Sequence, residues 1–175
     1  LLGETNDELG GSEYYKMLAK NSKSDRNAIG NNVPKVNLEK NVKIYSALEN
    51  VISKELISSA ISLTSGGLAI ALVKASVGGM LGCKVFLKNL PGEMSGTDSA
   101  LFSESQGRIL VSVAPKNITK FEKIIKKISY KKIGQVSKND EFIIFDAENK
   151  KIVGTNIKKL QALYHNFSNK MKWRK

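Results

Sequence analysis

The chain has 175 residues, 41% of them hydrophobic and 25% charged, which supports one sizeable core and excludes a wholly disordered chain. Its net charge is +12, and its one cysteine, Cys83, excludes an intrachain disulfide and a cysteine metal cage. The longest apolar stretch, residues 68–73, is far short of the ~20 residues that span a bilayer, and no basic-then-apolar leader opens the sequence, so no membrane contact and a cytoplasmic setting are expected.

The first residues, Leu1-Leu2-Gly3, read as the end of a strand with no initiator methionine, which is expected of a piece of something longer. Gly10-Gly11 permits a tight turn before a short helix through Leu18. Residues 19–35 shift to Asn, Ser, Lys and Gly and read as a polar, mobile loop. Asn37 suits the N-cap of a helix whose stripe Leu38, Val42, Tyr45, Leu48 and Ile52 recurs at three- and four-residue steps and is expected to be buried. Residues 56–63 read as a strand that ends in Thr64-Ser65-Gly66-Gly67. Residues 68–77 read as a helix that is apolar almost all round, expected between layers and stopped at Gly78-Gly79.

Cys83 lies in a strand-like run that continues over 85–87, and with no histidine neighbour to act as base it reads as a buried structural thiol. Residues 91–97 read as a loop, and residues 100–108 lead into a strong strand over 109–113. A basic helix follows from about Asn117, then short strands over 132–136, 141–145 and 151–153. The last helix, from about Thr155, carries Ile157, Leu160, Tyr164, Phe167 and Met171 at helical spacing. This irregular alternation predicts an α+β class, an α/β sandwich with helices packed on a mixed β-sheet, as a single domain over 1–175.

Lysines gather over 116–132 and again over 150–175. In the first group Ile118, Phe121, Ile124, Ile125 and Ile128 keep an apolar stripe, so the lysines occupy the solvated face. With no aromatic-rich recognition motif and no metal-finger spacing, a basic soluble surface is favoured and no nucleic-acid partner is expected.

Four places carry candidate chemistry. The Ser65-Gly66-Gly67 turn at a strand-to-helix junction could offer backbone N–H groups to a phosphate, or need its glycines for steric reasons alone. Glu104-Ser105-Gln106 offers a carboxylate and a hydroxyl for a ribose or amide contact, and Arg108 could clamp a phosphate or pair with Glu104. Gly10-Gly11-Ser12-Glu13 suits a ligand or domain-interface loop, with capping of the next helix by Ser12 as the competing reading. His165 follows a stripe residue and is expected to face solvent; no catalytic residue and no metal site are assigned.

Read together, Leu2-Gly3-Glu4-Thr5, Glu8-Leu9-Gly10-Gly11-Ser12-Glu13-Tyr14, Gly66-Gly67-Leu68-Ala69-Ile70-Ala71-Leu72 and Leu101-Phe102-Ser103-Glu104-Ser105-Gln106-Gly107-Arg108 resemble a known family. It is the synthetase subunits of phosphoribosylformylglycinamidine synthase, within the aminoimidazole ribonucleotide (AIR) synthetase-related superfamily. The resemblance covers residues 1–113 by motif and points to the C-terminal domain. It implies a fragment of an ATP-dependent carbon–nitrogen ligase of purine biosynthesis, which converts formylglycinamide ribonucleotide to the amidine with ammonia from a glutaminase partner. ATP and magnesium belong to N-terminal-type domains absent from this chain, so the domain alone is expected to bind neither and to be inactive; a homodimer is allowed.

The same resemblance gives Glu104, Ser105, Gln106, Arg108, Ser65, Gly66 and Gly67 as substrate- or phosphate-binding residues, in a copy of the site that is the degenerate one. Members of the family often carry His-Asp-x-Ser before the glycine pair, where Ile61 and Ser62 stand here, so any charged contact those residues make in relatives is lost. Two rival readings are a self-standing protein-interaction module of the same superfamily and a nucleic-acid-binding module built on the basic C-terminal third.

Overall fold

A computed structural model describes residues 1–21, 29–88 and 90–170. In chain order they form α1 (Glu13–Asn21), α2 (Leu38–Ser53), β1 (Ser59–Ser62), α3 (Gly67–Gly79), β2 (Gly82–Phe86), α4 (Thr97–Phe102) and β3 (Ile109–Ser112). A 3-10 turn (Pro115–Asn117) then leads into α5 (Ile118–Ile125), β4 (Gly134–Ser137), β5 (Glu141–Phe145), β6 (Lys151–Asn156) and α6 (Ile157–Lys170). The class is α+β, with helices and mixed strand pairing. The chain divides into two compact units, Leu1–Leu72 with Asn89–Lys132, and Val73–Lys88 with Ile133–Lys175; α3 runs through the division.

In the first unit β1 and β3 pair antiparallel, Ala60 opposite Val111, and Leu2 bridges to both Ile109 and Tyr130. Their core is Leu2, Ile44, Val51, Leu56, Ile109, Phe121 and Ile125. Asn37 caps α2 as expected, its Oδ1 accepting the Lys40 amide at 3.0 Å. The face that α2 buries is not the expected one. Ile44 and Val51 are buried, and Ala47 and Leu48 pack beside them, whereas Leu38, Val42, Tyr45 and Ile52 are 73%, 62%, 50% and 51% exposed. At about 100° per residue the apolar arc of α2 is wider than the partner laid on it, and α5, through Phe121 and Ile125, covers only one half.

The α5 stripe matches expectation, with Phe121 and Ile125 buried and Ile124 and Ile128 against the core. Helix α4 falls where no helix was expected; its six residues are too few to display a helical period. Of residues 19–35, 19–21 finish α1, 22–28 lie outside the described residues, and the Ile29 and Asn32 carbonyls accept the Gly11 and Gly10 amides.

The second unit is a four-stranded sheet in the order β4-β2-β5-β6, with β2–β5 parallel and both outer pairs antiparallel. Alternation sends Cys83, Val85, Phe142 and Ile144 to a buried face. Cys83 is a structural thiol, its pKa raised by burial, with the Ser76 hydroxyl 3.6 Å from its sulfur. On the opposite face Phe86 and Phe145 stack at 4.9 Å with the Lys84 ammonium over both rings. Helix α3 buries Leu68, Ala71, Leu72 and Ser76 but leaves Ile70 and Ala75 exposed, so it is not enclosed all round as its composition suggested.

In α6 Ile157 is buried and Leu160 half-buried, whereas every residue from Ala162 to His165 is exposed, so Tyr164 faces solvent despite its stripe spacing. The side chain of Phe167 and all of Met171 lie outside what is described. His165 is exposed. Among the described residues no helix is long and apolar enough to cross a membrane.

Candidate functional site

The segments 2–14, 64–68 and 101–108, remote in sequence, meet in the first unit around the loop that joins α4 to β3. Ser103 ends α4; its buried hydroxyl donates to the Asn6 carbonyl at 2.7 Å and accepts the Glu8 amide at 3.2 Å. Ser105, also buried, accepts the Asn6 amide at 3.1 Å. Beneath them lies Arg108, 1% exposed, whose Nε donates to the Ser105 carbonyl, Nη1 to the Thr5 hydroxyl and Nη2 to the Ser103 carbonyl. Five fixed donors in one plane let a single guanidinium hold two backbone segments at once. Burial lowers its pKa to about 10, against the attraction of Glu8 and Glu104, so it is charged at neutral pH.

Glu104 is the hinge of the arrangement. Its Oε1 accepts the Gly66 amide at 2.8 Å and the Glu13 amide at 3.0 Å. Those amides stand at the N-termini of α3 and α1, where unpaired N–H groups and the helix dipoles favour a negative charge. The carboxylate therefore sits where an anion would be drawn, and it ties the glycine-pair turn to the Gly10-Gly11-Ser12-Glu13 loop. Ser12 caps α1, accepting the Tyr15 amide at 3.2 Å while donating to the Leu9 carbonyl at 2.6 Å.

The glycines of the pair are required by space. Both have positive φ, 84° at Gly66 and 60° at Gly67, and a Cβ on Gly67 would lie 2.5 Å from the Ser103 carbonyl oxygen. The turn and the Glu104 loop are thus in backbone contact.

The expected site residues do come together, with different accessibilities. Ser65, Gly11, Glu13 and Gln106 are exposed and Glu104 half-exposed, while Gly10, Ser12, Gly66, Gly67, Ser105 and Arg108 are buried. Arg108 is consequently a tie between backbone segments rather than a surface clamp, and no ion pair with Glu104 forms: among the described residues the ion pairs are Lys16–Glu13 and Lys40–Glu4. Gln106 folds back to donate to the Glu104 carbonyl at 3.3 Å.

Sequence reasoning missed two features beside the site. Tyr14 stacks on Phe102 at 4.6 Å and donates its hydroxyl to Asp98 at 2.6 Å, which fastens α1 to α4; that bond is the main cause raising its pKa to about 12. A cleft of about 510 Å³ opens next to the loop, lined by Asn6, Asp7, Glu8, Lys35, Glu93 and Ser95 among others. Glu8 is 4% exposed, its Oε1 taking the Lys35 amide and its Oε2 buried without a hydrogen-bond partner. Nothing in Glu8-Leu9-Gly10 marks the Glu8 carboxylate for burial, since a charged residue beside a glycine turn is ordinarily exposed. Among the described residues no three His, Cys, Asp or Glu side chains are grouped to hold a metal ion.

The chain is similar to the phosphoribosylformylglycinamidine synthase subunit PurL of Thermococcus sibiricus, 32% identical over 166 residues that cover 94% of this chain and 22% of that protein. The PurL subunit of Methanocaldococcus jannaschii is 38% identical over 129 residues, covering 74% of this chain and 16% of that protein. The chain thus spans about a fifth of the length of these curated relatives. Among solved structures, Thermotoga maritima PurL complexed with FGAR superposes with a TM-score of 0.71 at 18% identity, over 91% of this chain and 27% of that one, a likeness of fold. The family model described as AIR synthase related protein, C-terminal domain, matches residues 1–147. With its opening segment, glycine pair and Glu104 loop joined as described, the chain belongs to the AIR synthase related family, as a C-terminal domain.

Proposed function

We propose that this chain is the C-terminal domain of the synthetase subunit of phosphoribosylformylglycinamidine synthase, an ATP-dependent carbon–nitrogen ligase of purine biosynthesis. The full enzyme converts formylglycinamide ribonucleotide and glutamine-derived ammonia to the amidine. The observation that carries the reading is the 32% identity to a PurL subunit over 94% of the chain. The junction at Glu104 supports it, since the most family-like words of the sequence are the ones it binds together.

The domain works as a structural wall. Its own carboxylate takes the Gly66 amide at the α3 N-terminus, so this turn, as arranged, does not cradle a triphosphate. ATP and magnesium are held by N-terminal-type domains of the same polypeptide, and ammonia comes from a glutaminase subunit, in the cytoplasm. Ser65, Gln106, Gly11 and Glu13 form the exposed rim of the junction and meet the neighbouring domain or the edge of its ligand. The whole chain, residues 1–175, serves as one such domain despite its two compact units.

The test is an assay of amidine formation with ATP, formylglycinamide ribonucleotide and ammonium. The longer polypeptide encoded by the gene turns over, and the 175-residue chain alone does not. Turnover by the lone chain, or a longer polypeptide inactive with ammonium, overturns the reading. The rival protein-interaction module would leave purine synthesis intact when the gene is deleted.

A further inference from the structure

Helix α2 carries two adjoining apolar arcs, and only one is used. Ile44, Ala47, Leu48 and Val51 enter the core, while Leu38, Val42, Tyr45 and Ile52 form a second ridge, each at least half exposed. Glu49 lies on the same line, one exposed carboxylate among four apolar side chains.

We propose that this ridge is the seat of another domain of the same polypeptide, which presents an apolar face with one lysine or arginine opposite Glu49. The inference rests on the functional reading above. Two observations choose this occupant over a second copy of the chain. About four-fifths of the length of the similar PurL subunits lies outside the region that this chain matches, so a covalently attached neighbour is available. The ridge is also small: Leu38 to Ile52 rises about 21 Å and a helix face is about 10 Å wide, on the order of 200 Å². A free dimer buries about 800 Å² on each partner. A tethered domain, at an effective concentration in the millimolar range, needs far less.

The test uses Val42→Cys, with Glu39→Cys as control, in both the 175-residue chain and the longer polypeptide. Glu39 is exposed on another side of α2, and the native Cys83 is buried; maleimide labelling is read by mass spectrometry on the peptide that carries residue 39 or 42, so other thiols of the longer polypeptide do not enter. Val42→Cys is expected to label rapidly in the chain and at least tenfold more slowly in the longer polypeptide, with Glu39→Cys equal in both. Sedimentation of the chain alone should give a monomer. Equal labelling of Val42→Cys in an active longer enzyme overturns this inference and leaves the functional reading intact. A dimer of the chain that Val42→Glu dissociates overturns it in favour of a second copy. A gene that encodes no further domain removes both readings.

Discussion

The Oε1 atom of Glu104 stands 2.8 Å from the Gly66 amide nitrogen and takes the Glu13 amide as well, so one carboxylate closes the N-termini of two helices. Charge-assisted bonds to two otherwise unpaired donors make Glu104→Ala costly, about 1–3 kcal/mol in urea denaturation. Glu104→Gln keeps an acceptor without the charge and should fall between. Removal of the carboxylate also vacates an electropositive turn. Inorganic phosphate is therefore expected to raise the melting temperature of Glu104→Ala and not that of the parent chain; equal response in both would show that the junction does not attract anions.

Gly67→Ala should destabilise by about 2 kcal/mol or more, because a Cβ meets both a left-handed backbone and the Ser103 carbonyl. That carbonyl is held by Arg108 and has little room to withdraw. Gly78→Ala is the control: its Cβ meets nothing within 4 Å near the end of α3, and helix propensity favours alanine there. Similar midpoints for the two variants in thermal melts would remove the steric account.

Arg108→Lys replaces the planar fork with a point charge and leaves carbonyls of the 103–105 segment or the Thr5 hydroxyl without a donor. A loss of about 2–3 kcal/mol is expected, with amide exchange rising in both 2–8 and 103–108. A rise confined to 103–108 would show that the guanidinium does not couple the two segments.

Tyr14 gives an alkaline signature. Its folded pKa, about 12, lies above the ordinary tyrosine value of about 10, so the hydroxyl's contribution is complete below pH 10 and is lost as pH rises toward 12. Arg108 acts with the opposite sign in an overlapping range, because burial lowers its folded pKa to about 10, below that of a free guanidinium. The stability difference between the parent and Tyr14→Phe isolates the tyrosine. It should shrink between pH 10 and 12, and a constant difference would deny the bond to Asp98.

Much of this was legible from residue order. The basic helix, the strand over 141–145 and the start of the last helix followed from periodicity, because each presents one apolar face to one partner. The resemblance picks out the segments that hold Gly66, Glu104 and Glu13, but only the fold shows one carboxylate joining them. Spacing could not say which half of a wide apolar arc on α2 would be covered, since Leu48 fits either stripe. Nor could it show that Arg108 points inward. A strand-flanking arginine is ordinarily a surface residue, and only the Thr5, Ser103 and Ser105 oxygens gathered by the fold make burial tolerable.

The discontinuous second unit has a consequence for biosynthesis. Strand β2 leaves the ribosome well before β4 and β5, the strands that flank it, while all of the first unit is complete at Lys132. Nascent β2, with Val85 and Cys83 unpaired, must wait for its neighbours, and domains emerge at only ~5–20 residues per second. A nascent chain that ends between residues 133 and 140 contains the whole of the first unit and a β2 that still lacks β5, an open sheet edge able to pair with another chain unless a chaperone covers it.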